Sequence, residues 1–528
     1  MESKKTKIVS VVAIVALALT IITATYAYFN AQVGDPAAAD IKVNANTVDT
    51  FTFSNGNAIS FSINQDNFAS GKGNQTGSTY ASATLTANNK TNTATEHYYL
   101  YLNIEDNTFT YSINENTPEI IMTVKNSVGN EVTDISTLNH VIVTGANGTQ
   151  VSGYDITNKS GLITLFDNRE ITTTSSKEEK WNITITFVNY DENQNANAGK
   201  SMSAKVMIQK EVIPQVVSDV CSNGTNLATC ITTLANKSIP SATNIYHHDS
   251  SLSNGAGDNS YRYAGASDVV NNFVCFGSNE STCPTDNLYR IIGVFGNNVK
   301  LIKNDYGTTD ELGTDGDYNQ TYKEWGMDST YKGTYGDGER IGVYYWNNAT
   351  QKNTWSESLL NKTNLNTNFI NNIGEEWANK IATTTWKVGG NTYSNIYSKT
   401  PSVVYQNEIV NPVTTNTTDN ATEYTAKIGL MYVSDYGFAA EPSAWTLTMG
   451  NYNNTTATST NWMYMGLYEW TISRNADGSN YAFRVSNDGR VGSYYVTGNF
   501  AVRPSFSLES SITYVSGSGS ASDPMLIN

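Results

Sequence analysis

The sequence predicts a mostly β protein that is divided into two domains. Its 528 residues exceed the roughly 250–300 residues at which a single hydrophobic core stops growing. Its 33 tyrosines, with many Asn, Thr, Ser and Gly residues, are typical of strands joined by polar turns. Strict alternation of apolar and polar residues in segments such as WNITITFV, residues 181–188, indicates half-buried strands.

The N-terminal segment 1–27 is interpreted as a signal peptide or a membrane anchor. Lys4, Lys5 and Lys7 precede an almost uncharged run over residues 8–29. About 20 apolar residues span a bilayer and signal-peptide cores are shorter, so both alternatives stay open, with residues 8–29 in the membrane if they are not cleaved. Because lysine clusters stay on the cytoplasmic side, we expect the rest of the chain to be extracellular, at the cell surface or membrane-anchored.

Charge and cysteine content narrow the classes of partner and the compartment. The formal net charge is −16 with 15% charged residues, and no basic stripe is present, so nucleic-acid binding is not expected. Cys221 lies close to Cys230 in the sequence, and Cys275 lies close to Cys283, but neither pair has the CxxC spacing of metal sites. Four cysteines permit three connectivities, and two short disulfide loops in an oxidising compartment are the leading interpretation.

Residues 28–213 are expected to form a β-sandwich. Trp181, Ile183, Ile185 and Phe187 alternate onto one face of a strand, and the segments YYLYLNI and SMSAKVMI show the same period. Short strands at regular intervals, separated by polar turns, favour two packed sheets.

The first part of the chain resembles the camelysin and TasA group of secreted bacterial matrix proteins. The segments ATYAYFN and WNITITFVNYDENQNANAGKSMSAKVMIQKE carry the resemblance. It implies a jelly-roll-like sandwich, export through a dedicated signal peptidase, and self-association into fibres through a donated N-terminal strand. The chain has no HExxH motif, so the resemblance does not extend to a metalloprotease site.

Residues 214–244, which contain two prolines and the first cysteine pair, are interpreted as a linker, and residues 245–528 as an α+β domain. The segments NLYRIIGVFGNNVKLIK and FRVSNDGRVGSYYV predict hairpins, the second closed around Asp488-Gly489. Helical spacing of apolar residues in WSESLLNKTNLNTNFINNIGEEWANKIA predicts one helix or two short ones.

The C-terminal domain resembles a recurring domain of exported proteins from low-GC gut bacteria. The matching segments are SYRYAG, FVCFGSNESTCPTDNLYRIIGVF, KIGLMYVSDYG, EWTISR and VRPSFSL. More distantly, it is similar to the C-type-lectin-like fold of formylglycine-generating enzymes, which implies a lectin-like α+β architecture. The redox-active cysteines of those enzymes have no counterpart, because no cysteine lies beyond Cys283.

Aromatic side chains between residues 305 and 346 are the predicted ligand-binding residues. This stretch is rich in Tyr, Trp, Gly and Asp and has no sustained periodicity, which is typical of exposed loops that carry recognition. Flat rings with few rotors bind glycans or proteins at low entropic cost. The alternative is that these rings pack in the core of a Tyr-rich domain. The candidates are Trp325, Tyr331, Tyr335, Tyr344, Tyr345 and Trp346.

The segment NWMYMGLYEWTISRN is interpreted as a buried seam rather than an active site. Trp470 lies in a run whose aromatic and Met content suits a core. Glu469 is expected to form an internal ion pair with Arg474, or with Arg484 or Arg503, that fixes geometry rather than performs chemistry.

No cofactor, metal or catalytic residue is predicted. Asp315, Asp317 and Asn319 alternate as calcium ligands do, but the glycine and the bidentate glutamate of a calcium loop are missing, so we expect an acidic turn. The pair His247-His248 has no third zinc ligand nearby and is expected on an exposed loop. The chain has no phosphate loop and no GxSxG motif.

Three functions therefore compete. The first is an exported cell-surface protein that displays an adhesion module for a glycan or protein ligand of a host or neighbouring cell. The second is an extracellular matrix or fibre subunit that polymerises through the N-terminal sandwich. The third is an envelope enzyme, for which no motif is present.

Overall fold

The computed structural model describes residues 49–64, 72–88, 92–146, 148–280, 282–326, 333, 338–412 and 421–528. The predicted mostly β fold class is confirmed, with several antiparallel sheets. The chain divides into two compact units, Met1–Val212 and Ile213–Asn528. The predicted signal peptide or anchor, 1–27, and the membrane segment 8–29 lie outside the described residues. In the part of the chain that is described, no helix is both long and apolar enough to cross a membrane.

The first unit contains ten described strands. They are β1 (Thr50–Asn55), β2 (Ile59–Ser62), β3 (Gln75–Thr86), β4 (Ala94–Asn107), β5 (Ile120–Asn126), β6 (His140–Thr144), β7 (Gln150–Asp155), β8 (Gly161–Thr173), β9 (Ser176–Phe187) and β10 (Ser201–Gln209).

Two antiparallel sheets make the first unit a β-sandwich. One has the order β1-β3-β9-β5-β7-β6 and the other β2-β10-β4-β8. Buried side chains from both sheets, such as Ile183 of β9 and Leu102 of β4, belong to one hydrophobic cluster. The alternation predicted for residues 181–188 is confirmed, because Trp181, Ile185 and Phe187 are buried with Ile183 on the inner face.

The second unit combines short strands with short helices. Its strands are β11 (Ile245–His248), β12 (Ser260–Tyr263), β13 (Phe273–Cys275), β14 (Leu288–Phe295), β15 (Asn298–Lys303), β16 (Tyr318–Thr321), β17 (Gly342–Tyr345), β18 (Thr384–Lys387), β19 (Glu423–Ala426), β20 (Ile428–Gly429), β21 (Glu469–Arg474), β22 (Tyr481–Val485), β23 (Val491–Tyr495), β24 (Asn499–Phe500), β25 (Ser505–Ser507), β26 (Tyr514–Ser516) and β27 (Leu526–Ile527). Its α-helices are Leu227–Lys237, Pro240–Thr243, Thr309–Leu312, Ile370–Ala378, Tyr393–Tyr397, Pro401–Tyr405, Val433–Phe438 and Thr455–Ser459. Two π-helices cover Leu360–Phe369 and Gln406–Val410.

A seven-stranded antiparallel sheet is the largest sheet of the second unit. Its order is β11-β12-β14-β15-β25-β20, and β13 pairs with β14. Two three-stranded sheets, β16-β17-β24 and β21-β22-β23, pack with it around one large hydrophobic cluster. Both predicted hairpins are confirmed, since β14 pairs with β15 and β22 with β23.

The prediction that residues 214–244 form a linker is wrong. The helix Leu227–Lys237 buries Leu227, Ile231 and Leu234 in the core of the second unit. These residues recur at helical spacing, so one face of the helix is apolar and must be covered. The segment is therefore an integral part of the unit.

The predicted cysteine pairing is confirmed. Disulfides join Cys221 to Cys230 and Cys275 to Cys283. Each closes a short loop, with sequence separations of 9 and 8 residues. Two disulfides are compatible with an extracellular protein.

Candidate functional site

The segment NWMYMGLYEWTISRN forms a buried seam, as predicted. Trp470 is fully buried and its Nε1–H donates a hydrogen bond to the carbonyl oxygen of Tyr344 at 2.9 Å. The two oxygens of Glu469 accept hydrogen bonds from Nε and Nη2 of Arg503 at 2.8 and 3.0 Å. Burial raises the pKa of Glu469, and Arg503 opposes that effect. Arg474 is not the partner of Glu469, because its Nε donates to the carbonyl of Val388 at 3.0 Å.

Two of the aromatic residues predicted to bind ligand on exposed loops lie in the core instead. Tyr344 and Trp346 are fully buried on and beside β17, which is the central strand of its sheet. The Nε1–H of Trp346 donates to the carbonyl of Thr471 at 3.0 Å. Tyr345 is half-buried and its hydroxyl donates to Oδ1 of Asn319 at 2.6 Å. The expectation of exposure is wrong here because a strand, rather than a loop, carries these rings.

The other three candidates lie at or beyond the edge of what is described. Tyr331 and Tyr335 lie outside the described residues. Trp325 is half-buried, and its ring lies 6.2 Å from the ring of Tyr468 and 5.9 Å from that of Phe500. It is the member of the predicted set that leads to a cluster the sequence did not reveal.

That cluster lies around the guanidinium of Arg484. We call it the aromatic–arginine cluster, and it comprises Trp325, Tyr468, Arg484, Tyr494 and Phe500. The Cζ atom of Arg484 lies 4.4 Å from the ring centre of Tyr468, 5.0 Å from that of Phe500 and 5.3 Å from that of Tyr494. These distances are within the range of cation–π attraction. Tyr494 is 44% exposed, so the cluster reaches the surface.

The hairpin of β22 and β23 places the side chains of Arg484 and Tyr494 on one face. Arg484 lies directly opposite Gly492, and Ala482 lies opposite Tyr494. Opposed residues of an antiparallel pair share a face, and residues two apart on a strand share it too. Arg484 and Tyr494 therefore stand side by side, while Tyr495 points to the other face.

A glycine leaves the space beside Arg484 open. A Cβ atom built on Gly492 meets no atom of the described residues within 4 Å. Any larger residue at this cross-strand position would project its side chain next to the guanidinium. The face is thus accessible where the cation lies.

Arg484 is half-buried and has fewer polar partners than the buried Arg503 and Arg262 of this unit. Its Nη1 donates to Oγ of Ser486 at 2.6 Å, and its Nε is buried with no hydrogen-bond partner in the part of the chain that is described. By contrast, Arg503 pairs with Glu469, and Nη2 of Arg262 lies 2.6 Å from Oδ2 of Asp258. Within the described ranges no carboxylate forms an ion pair with Arg484. Burial lowers the pKa of its guanidinium.

Sequence reasoning considered Arg484 only as a partner for Glu469. The signal that identifies the cluster is the alternation within FRVSNDGRVGSYYV once the hairpin register is known. Arg484, Gly492 and Tyr494 then fall on one face. The contributions of Tyr468 and Phe500 come from distant segments and had no local signal.

The histidine pair lies on a strand and not on an exposed loop, and one of the two histidines is buried. His248 is fully buried on β11, and its Nδ1 accepts a hydrogen bond from the backbone N–H of Ala256 at 3.0 Å. Its ring packs edge-on against Phe438 at 4.7 Å. Burial lowers the pKa of His248 to about 2. The expectation is wrong for His248 because the pair occupies a strand with one face towards the core.

The alternating acidic segment uses its side chains for separate structural contacts. The two oxygens of Asp317 accept hydrogen bonds from the backbone N–H groups of Asn348 and Leu360 at 3.0 and 2.9 Å. Oδ1 of Asp315 accepts one from Nδ2 of Asn368 at 2.6 Å. Throughout the described ranges, no group of three or more His, Cys, Asp or Glu residues is arranged to hold a metal ion.

Comparison of the chain with protein-family models and with curated proteins gives no match.

Proposed function

We propose that this chain is an exported bacterial cell-surface protein whose Ile213–Asn528 unit binds a ligand without converting it. The observation that carries the proposal is the aromatic–arginine cluster, where a half-exposed ring lies beside a cation that forms no ion pair with any described residue. Ligand sites combine aromatic walls with a few polar groups that fix orientation. The resemblance to lectin-like domains and the glycan or protein ligand expected from the sequence agree with this assignment.

The two disulfides and the lysine-flanked apolar N-terminal segment support export. Disulfides persist in oxidising compartments and are rare in reducing ones. The first unit, a β-sandwich, then lies nearer to the cell envelope and serves as a spacer or as an assembly module.

Binding of the full chain to a panel of glycans tests the proposal, with Tyr494→Ala as the variant. Tyr495→Ala is the matched control, because Tyr495 is 48% exposed but lies on the opposite face of the hairpin. We expect Tyr494→Ala to weaken binding by about tenfold or more, as expected for an aromatic contact residue, and Tyr495→Ala to leave it unchanged. Equal effects of the two substitutions would place the ligand elsewhere.

Turnover and filament formation are measured on the same samples. Recovery of the unchanged glycan after incubation is expected for a binding protein. A cleaved product would favour the envelope enzyme instead. Filaments without glycan binding would favour the matrix subunit.

A further inference from the structure

We infer that the ligand of the aromatic–arginine cluster is a saccharide that carries a carboxylate, and that Arg484 receives that carboxylate. This inference rests on the proposed function and adds the chemical class of the ligand.

The first argument is the incomplete coordination of Arg484. A guanidinium has five N–H donors in a planar fork that matches a carboxylate. With the described residues Arg484 makes one hydrogen bond, to Ser486. Three rings lie against the guanidinium, and its Nε is shielded from water without an acceptor among the described residues. A bound carboxylate would supply the missing acceptors in the geometry that the fork prefers.

The second argument is the open space at Gly492. The position opposite Arg484 on the neighbouring strand carries no side chain, and a Cβ there meets no described atom within 4 Å. Gly492 is not among the glycines with positive φ, so its backbone does not require glycine. A glycine in a strand weakens the strand and often marks a place where a ligand approaches. The missing side chain therefore leaves room beside the guanidinium of Arg484.

The third argument selects a saccharide over a long polyanion. The chain carries a formal net charge of −16, which repels a polymer of many negative charges. A short saccharide that carries only a few carboxylates meets much less of that repulsion than a long polyanion does. The exposed ring of Tyr494 and the half-buried rings of Trp325 and Tyr468 offer flat apolar surfaces for the faces of sugar rings.

The experiment compares trigalacturonate with its fully methyl-esterified form, which has the same sugar framework but carries neutral methyl esters in place of the carboxylates. Dissociation constants are measured by calorimetric titration of the full chain. For the unsubstituted chain we expect the ester to bind about tenfold or more weakly than the acid, because a charge-assisted pair at Arg484 is lost. Arg484→Gln should reduce acid binding to the level of the ester and leave ester binding unchanged.

Gly492→Val provides a second variant that is independent of the charge. Valine suits a strand, and a Cβ atom at this position meets no described atom within 4 Å. It should abolish binding of both trisaccharides while the thermal midpoint stays unchanged or rises. The same substitution therefore keeps the test valid even if Arg484→Gln fails to fold.

The outcomes separate the inference from the proposed function. Equal affinity for acid and ester, both sensitive to Tyr494→Ala, would overturn the inference and leave the glycan-binding proposal intact. Binding of neither trisaccharide or of any glycan on the panel would overturn both. Arg484-dependent binding of pentaglutamate but not of trigalacturonate would overturn the saccharide assignment in favour of an acidic peptide.

Discussion

The buried carboxyl group of Glu408 predicts a loss of stability as the pH rises. Its two oxygens accept hydrogen bonds from the N–H groups of Val433 and Ser434, each at 3.0 Å, and Oε1 also accepts one from the hydroxyl of Ser473. Glu408 is 1% exposed and forms no ion pair within the described part of the chain. Burial raises its pKa from 4.5 to about 7.

The sign and the size of the effect follow from this shift. Because the pKa of Glu408 is higher in the folded state, the folded protein binds the proton more tightly than the unfolded chain does. The stabilising contribution is fully present below about pH 4.5 and is lost as the pH rises through about 7. A shift of this size corresponds to about 3 kcal/mol in the free energy of unfolding, at 1.36 kcal/mol per unit of pKa.

Urea unfolding of the full chain between about pH 4.5 and 8 measures this slope, with Glu408→Gln as the variant and Glu509→Gln as the control. Glutamine has no titrating proton, so we expect the second unit of Glu408→Gln to lose about 3 kcal/mol less than the unsubstituted chain over this range. Glu509 is exposed, and its substitution should leave the slope unchanged. A Glu408→Gln variant that keeps the full slope would refute the reasoning.

Further predictions concern the core of the second unit. Trp470→Ala should lower the free energy of unfolding by about 3–5 kcal/mol, and Trp470→Phe by less, since phenylalanine keeps the ring but loses the bond to the Tyr344 carbonyl; equal urea midpoints for both would contradict this. A chain of residues 245–528 should melt at a lower temperature than one of residues 213–528, because it lacks the packed helix Leu227–Lys237; identical melting curves would restore the linker. Replacing both Cys275 and Cys283 by Ser should cost about 2.5 kcal/mol in the chain-entropy model, and an unchanged urea midpoint would count against it.

The local sequence pattern was sufficient to predict a strand or a hairpin where one face of the element is buried and the other is solvated. The strand containing Trp181 and Ile183 and the hairpin around Asp488-Gly489 could be located because alternation and turn chemistry act over a few residues. Asn55-Gly56 is a dipeptide typical of hairpin turns, but β1 and β2 on either side of it belong to different sheets. Pairing partners depend on the whole fold, which a dipeptide does not encode.

Burial was harder to predict than strand position. Tyr344 and His248 lie in stretches rich in polar residues, and their burial follows from partners that are distant in sequence, such as Trp470 and Phe438. The helix within 214–244 did have a local signal, the apolar spacing that begins at Leu227, which the flanking prolines and polar residues obscured. The candidate site needed the same distant information, because three segments meet at Arg484.

The position of β25 affects the order in which the strands of the largest sheet can pair during synthesis. This strand, Ser505–Ser507, lies between β15 and β20 in the largest sheet, and the hydroxyl of Ser505 reaches the carbonyl of Leu301 across 204 residues. During synthesis from the N-terminus, β15 is therefore made long before its neighbour exists. Its unpaired edge stays available for wrong partners throughout that interval, and pairings of such long range form slowly. The largest sheet therefore cannot be completed until residues 505–507 have been made.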